Sequence, residues 1–273
     1  MRNSIRTMTL AAVSVALFVS ADVEAQTHIL DQLSGTSLRL TIRHDNIEIG
    51  TGTGFVLQKG QRYYLITNRH IVLACAEDKN PNNVGGWLCA NNLLILHNKL
   101  NHVGEWIRVE EKLLDEHNTK RWLEHPTLGS AVDLVALPLT KTEGVAFLPL
   151  NLDLRKTDIR IQPGDAVSIV GFPFGIAQVG GLAIWKVGTI ASDIDIDIEG
   201  KSRFLLDTTA RPGMSGSPVY VRRSGGYQTA RGSTVLGENA TKFLGVFAEE
   251  SQAAEIGVVW KAEVVQSLYD SLP

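Results

Sequence analysis

An all-β chain in two halves is the fold class this sequence predicts, and three observations carry the prediction. Short runs of alternating apolar and polar residues follow one another from residue 36 onward. Turn-forming clusters separate them, in a chain that holds 25 glycines. No long helical period intervenes, which argues against a parallel βαβ sheet and for antiparallel barrels or sandwiches.

The elements follow in order. Leu38, Leu40 and Ile42 alternate with Arg39, Thr41 and Arg43, the period of a half-buried strand. Asp45-Asn46 turns the chain into Ile47–Leu57, and Lys59-Gly60-Gln61 turns it again into Tyr63–Thr67. Leu93–His97, Glu105–Val109 and Leu134–Leu137 continue the series, and regularity lapses between Leu139 and Thr157. A second series runs through Ala166–Val170, Leu182–Ile198, Arg203–Thr208, Pro218–Val221, Phe243–Ala248 and Ile256–Trp260. Only Ala262–Ser271 has helical spacing, with Val264, Val265, Leu268 and Tyr269 on one face.

The N-terminus reads as a leader outside the fold. Arg2 and Arg6 precede an apolar run from Met8 to Ser20, and small residues at Ala21 and at Val23-Glu24-Ala25 offer two cleavage points, the second preferred. The run is shorter than the ~20 residues of a spanning helix. The expected organisation is a secretory signal over residues 1–25, a first half over 26–145 and a second over 146–273. A secreted or periplasmic location follows, with an uncleaved anchor as the alternative. In that compartment Cys75 and Cys89 are candidates for a disulfide across a polar loop; two separate buried thiols are the other reading. The formal net charge of -3 gives no basic excess for nucleic acid. Asp193, Asp195 and Asp197 miss a calcium loop, because Ile198 stands where glycine is needed and Phe204 where a carboxylate is needed. Their alternation with isoleucine reads as a strand with one solvated face. His97, His102, His117 and His125 lack zinc-site spacing and read as surface or loop residues, so neither a metal nor a cofactor is expected.

Chemistry concentrates at Arg211-Pro212-Gly213-Met214-Ser215-Gly216-Ser217-Pro218. A serine between glycines suits nucleophilic attack, and the N–H groups of Gly213 and Ser215 would form an oxyanion hole worth roughly 3 kcal/mol per donor. A serine needs a base and the base an orienter. Every histidine lies at or before His125, which excludes the Ser–Asp–His order of α/β-hydrolases. His70 follows the apolar strand Tyr63–Thr67 and is expected at its end. Asp133 is the one carboxylate in an otherwise buried segment, where a carboxylate is costly unless hydrogen-bonded; it is the candidate orienter, with a cap at the strand entry as the other reading.

These segments resemble the trypsin-like peptidase family, in its bacterial high-temperature-requirement-type branch. Thr67-Asn68-Arg69-His70-Ile71-Val72 is similar to the histidine motif, Asp133-Leu134-Val135-Ala136-Leu137 to the aspartate motif, and Gly213–Pro218 to the serine motif. Gly52-Thr53-Gly54-Phe55-Val56 matches the strand before the histidine, and Val170–Gly175 the segment opening the second barrel. The resemblance implies a chymotrypsin-like pair of antiparallel β-barrels with a cleft between them, His70, Asp133 and Ser215 as triad, and a protein or peptide substrate. Met214 stands where the digestive members carry the aspartate of zymogen activation, so that switch cannot operate. By alignment with the family, Thr209 falls near the base of the primary pocket and Phe247, Ala248, Glu249 and Glu250 near the substrate-pairing strand. Thr209 offers no charge for a Lys or Arg side chain. The expected function is a serine endopeptidase; the rivals are a silent or latent binding module on the same fold and an esterase. No oligomeric state follows from the sequence.

Overall fold

The computed structural model describes residues 31–80, 85–102, 104–209, 211–251 and 255–273. The expected signal segment lies outside them. The described chain is all-β, with short helices at Gln32–Thr36 (α1), Arg69–Val72 (α2) and Ala262–Ser271 (α3).

The first half holds β1 (Ser37–His44), β2 (Ile47–Lys59), β3 (Arg62–Thr67), β4 (Cys75–Glu77), β5 (Trp87–Cys89), β6 (Asn92–Lys99), β7 (Trp106–Lys112), β8 (Leu123–Glu124), β9 (Val135–Pro138) and β10 (Val145–Ala146). Eight of these form one antiparallel sheet in the order β10-β6-β1-β2-β3-β9-β8, with β7 also paired to β6. The small β4–β5 hairpin stands apart and places Cys75 opposite Cys89, which are joined by a disulfide. The second half holds β11 (Ala166–Gly171), β12 (Ile184–Ile190), β13 (Arg203–Asp207), β14 (Pro218–Arg223), β15 (Gly226–Gln228), β16 (Thr234–Leu236), β17 (Ala240–Ser251) and β18 (Ile256–Lys261). Six of them close into a barrel, β11-β12-β13-β18-β17-β14.

Side chains point to alternate faces of a strand, and here both faces are dry. Phe55, Leu57, Tyr64, Ile66, Leu134 and Ala136 face a core shared with Val170, Phe172, Phe243, Trp260 and Leu268 of the second half. Their neighbours Val56, Leu65, Val135 and Leu137 face the core of the first half alone. This is why these strands read as continuous apolar runs, and why the two halves are welded along β2, β3 and β9. The second barrel has its own interior of Val167, Ile169, Phe204, Leu206, Met214, Val219 and Val259.

Two expectations fail. Leu182–Ile198 is not one strand: β12 ends at Ile190, and the chain turns away with Ile196 N–H donating to Asp193 O at 3.1 Å. The aspartates serve a turn and an ion pair, Asp197 to Lys261 at 2.6 Å, and Ile196 is left exposed. Likewise His97 is buried within β6, whereas it read as a surface or loop residue; His125, read the same way, lies outside the named strands and is buried as well. His97 lies on the inner face of β6, edge-on to Phe147 with ring centroids 5.4 Å apart, so the strand period overrides its polarity.

Candidate active site

His70 and Asp133 meet because β3 and β9 are antiparallel neighbours with Thr67 opposite Val135. His70 lies three residues past the end of that pairing on one strand, and Asp133 two residues before it on the other. The chain does not stay extended to His70, as the sequence suggested, but winds into α2, a single turn. Asn68 Nδ2 donates to Asp133 O at 2.8 Å and ties the two segments together. The Asp133 carboxylate then grips the histidine twice: the His70 backbone N–H donates to Oδ1 at 2.9 Å, and Nδ1 lies 2.7 Å from Oδ2. With Nδ1–H committed to a carboxylate, the Nε2 lone pair faces outward.

Ser215 sits in the turn between β13 and β14. Its hydroxyl donates to Ala248 O at 2.8 Å rather than to His70. The serine turn is bound almost entirely through its backbone. The carbonyls of Pro212, Gly213, Met214 and Ser215 accept from Phe174 N (2.6 Å), Thr53 Oγ1 (2.8 Å), Ser217 N (3.0 Å) and Thr53 N (2.8 Å) respectively. Met214 N–H donates to Arg211 O at 3.1 Å and Gly216 N–H to Phe247 O at 2.8 Å. Two N–H groups from Gly213 to Gly216 are left without an acceptor among the described residues, those of Gly213 and Ser215. A trans peptide points its N–H away from its carbonyl. Anchoring Pro212 O and Met214 O on the inner side therefore aims these two donors at the opposite one. The turn needs its glycines: at Gly213 (φ +94°) a Cβ would lie 2.4 Å from Phe172 O, and at Gly216 (φ +88°) 1.9 Å from Thr53 O.

His70, Asp133, Ser215, Phe247 and Ala248 line one cavity of about 630 Å³, together with Arg69, Leu73, Arg211, Pro212 and Trp260. Thr209 is not on its wall; it is exposed, with Lys186 Nζ 3.4 Å from its hydroxyl. A cavity of similar size, about 640 Å³, opens elsewhere on the second barrel beside Lys242 and Lys261 but holds no histidine. Chemistry, not volume, selects the first. In the sequence Thr53 stands within its strand with no sign of a task, yet it touches the serine turn at two points. Its partners are backbone atoms, which leave no residue-type signal.

Among solved structures, this chain is similar to the serine endoprotease from Yersinia pestis, at 14% identity over 88% of this chain and 64% of that one, with a TM-score of 0.49. The HtrA-type protease AlgW in complex with a tripeptide matches at 16% identity over 87% and 60%, TM-score 0.46. The MamO protease domain from Magnetospirillum magneticum matches at 14% identity over 86% and 96%, TM-score 0.48. The chain thus spans less than two thirds of the first two proteins. No curated protein matches by sequence. The trypsin-like peptidase domain family matches residues 52–226, a stretch that contains His70, Asp133 and Ser215, and the chain belongs to that family.

Proposed function

We propose that the chain is a serine endopeptidase working through an acyl-enzyme on Ser215. One observation carries the reading: among the described residues the N–H groups of Gly213 and Ser215 have no acceptor, in a turn whose Ser215 lines the same cavity as a histidine oriented by a carboxylate. Ser215 Oγ attacks the scissile carbonyl carbon while His70 Nε2 takes its proton, and the two N–H groups bind the oxyanion. Collapse of that intermediate expels the amine, which receives the proton from His70. A water molecule, deprotonated in turn by His70, then hydrolyses the acyl-enzyme. Asp133 holds the tautomer and stabilises the imidazolium. Phe247 and Ala248 supply the wall and strand edge for the peptide.

A second reading, a latent site, is favoured by the bond from Ser215 Oγ to Ala248 O. In that state the hydroxyl is turned from its base. A peptide N–H that reaches Ala248 O displaces the hydroxyl and frees it to rotate toward His70, so occupancy itself arms the nucleophile. The Cys75–Cys89 disulfide supports a place outside the cytoplasm.

A fluorophosphonate probe with mass-spectrometric mapping tests the reading. Labelling confined to Ser215 and abolished in Ser215→Ala is expected. An unlabelled, well-folded protein that becomes reactive only with added peptide selects the latent form, and labelling that persists in Ser215→Ala removes Ser215 from the mechanism.

A further inference from the structure

The resemblance leaves unanswered what orders the oxyanion loop when Met214 occupies the place of the activation aspartate. Met214 is fully buried in the interior of the second barrel, among Val167, Ile169 and Val219. It offers no charge to any new N-terminus. One side chain of the first half, on β2, reaches this loop.

Thr53 is fully buried, and all its polar atoms are used. Its hydroxyl donates to Gly213 O at 2.8 Å and accepts from Phe172 N–H at 3.1 Å; because a carbonyl cannot donate and an amide cannot accept, both roles are fixed. Its backbone N–H donates to Ser215 O at 2.8 Å, and its carbonyl accepts from Thr67 Oγ1 at 2.8 Å. Thr53 thereby holds the peptide plane that follows each oxyanion donor. It also anchors the Phe172–Gly175 turn, whose Phe174 N–H holds Pro212 O at 2.6 Å and so fixes the plane that carries the Gly213 N–H. Phe174 is itself held at φ +53°, a left-handed conformation unusual for a bulky residue, on the far side of this clamp. Close approach is built in as well: a Cβ on Gly171 would lie 2.8 Å from Thr53 Oγ1.

We propose that Thr53 is the positioning residue of the oxyanion loop, its hydroxyl bridging Gly213 O and Phe172 N–H in place of the missing activation ion pair. The proposal rests on the reading of Ser215 as nucleophile. Removing the hydroxyl leaves two buried backbone groups unpaired and lets the Gly213–Met214 plane turn.

The test compares Thr53→Val and Thr53→Ser with wild type in fluorophosphonate labelling and in peptide hydrolysis. Losing one oxyanion donor costs on the order of 10²–10³ in kcat. Thr53→Val is therefore expected to lower kcat and the labelling rate about 10- to 100-fold with KM within about threefold, and Thr53→Ser to restore most of the loss. A purely structural role moves the melting temperature and leaves kcat per folded molecule unchanged. Folded Thr53→Val that labels Ser215 at the wild-type rate overturns the proposal while leaving the peptidase reading intact. Absence of labelling and turnover in wild type, with or without added peptide, removes that reading and the proposal with it. The wild-type protein supplies an arm for the case in which Thr53→Val does not fold. The Thr53 hydroxyl proton should exchange slowly enough to be seen by NMR beside Gly213, and a rapidly exchanging hydroxyl overturns the proposal.

Discussion

The two halves of the molecule hold their contributions to the site by different means. The first half fixes His70 with side chains: the Asp133 carboxylate bonds both its backbone and its ring, and Asn68 Nδ2 bonds the Asp133 backbone. The second half fixes Ser215 with main-chain bonds across the Pro212–Ser217 turn, closed by Thr53 from the other side of the cleft. A proton-transfer partner must present a particular tautomer, which takes a side-chain acceptor. An oxyanion site must present bare N–H groups, which come from pinning the carbonyls behind them. His70 is thus prearranged within its own half, whereas the Ser215 turn depends on the joint between halves.

The comparison is broken most severely on the histidine side. Asp133→Asn keeps the volume and the bond to the His70 backbone N–H, but its amide can present a donor to Nδ1. That stabilises the tautomer with the proton on Nε2, where it cannot accept from Ser215. A fall of roughly 10⁴-fold in kcat is expected, the scale of a tautomer inversion in a Ser–His–Asp site. The fold should hold, because the asparagine oxygen can still accept from the His70 backbone N–H and the Asp133 backbone bond to Asn68 is untouched. A loss smaller than about tenfold in steady-state hydrolysis would mean that Asp133 is a strand-entry residue only.

The same division decides what was legible beforehand. His70, Asp133 and Ser215 stood out because nucleophile, base and orienter demand particular residue types, and those types sat in conspicuous surroundings. The strand series was legible because period-2 alternation and turn residues are local signals; α3 was found at Ala262–Ser271 for the same reason, by its 3.6-residue period. Thr53 was not legible. Its hydroxyl bonds are to backbone atoms 160 and 119 residues away, and any chain position supplies such atoms. The Ile/Asp run at 193–198 misled because alternation records two kinds of environment without saying that a neighbouring strand is there to pair with. The burial of His97 escaped for the converse reason: its environment is set by Phe147 and Glu111, which topology and not spacing brings near.

Acid sharpens the comparison, since every histidine lies in the first half. Burial pushes His97 down to about 4 from an ordinary 6.5, outweighing the nearby Glu111 carboxylate, and its Nε2 has no hydrogen-bond partner among the described residues. His125 is lowered in the same direction by burial. For a histidine depressed in the folded state, the unfolded chain takes up the proton first. The stabilisation is therefore complete above pH 6.5, declines as pH falls toward 4, and levels off below. For His97 the span corresponds to about 3 kcal/mol. Thermal melts between pH 7.5 and 4 are expected to show this decline in wild type and a flatter profile in His97→Leu. Parallel profiles for the two proteins would leave His97 without a role in acid sensitivity.

The smallest effect is expected at the joint itself, on its far edge from the cleft. The last carbonyls of a helix lack intrahelical partners and carry partial negative charge. Lys59, at the end of β2 in the first half, donates through Nζ to Tyr269 O, Asp270 O and Leu272 O at 3.1, 2.8 and 2.5 Å, closing the end of α3 in the second half. Tyr64 Oη and Tyr269 Oη add bonds across the same seam, to Pro273 O at 2.8 Å and Gln58 O at 3.2 Å. Lys59→Met keeps the aliphatic stem and deletes the charge, and these two tyrosine bonds remain to hold the helix. A loss of about 1–2 kcal/mol is expected, a few degrees in melting temperature for a protein of this size. Hydrogen exchange would locate it: faster exchange confined to α3 fits a helix cap, whereas faster exchange that also reaches the amides of Gly213–Gly216 would mean that the whole joint, and not Thr53 alone, sets the order of the serine turn.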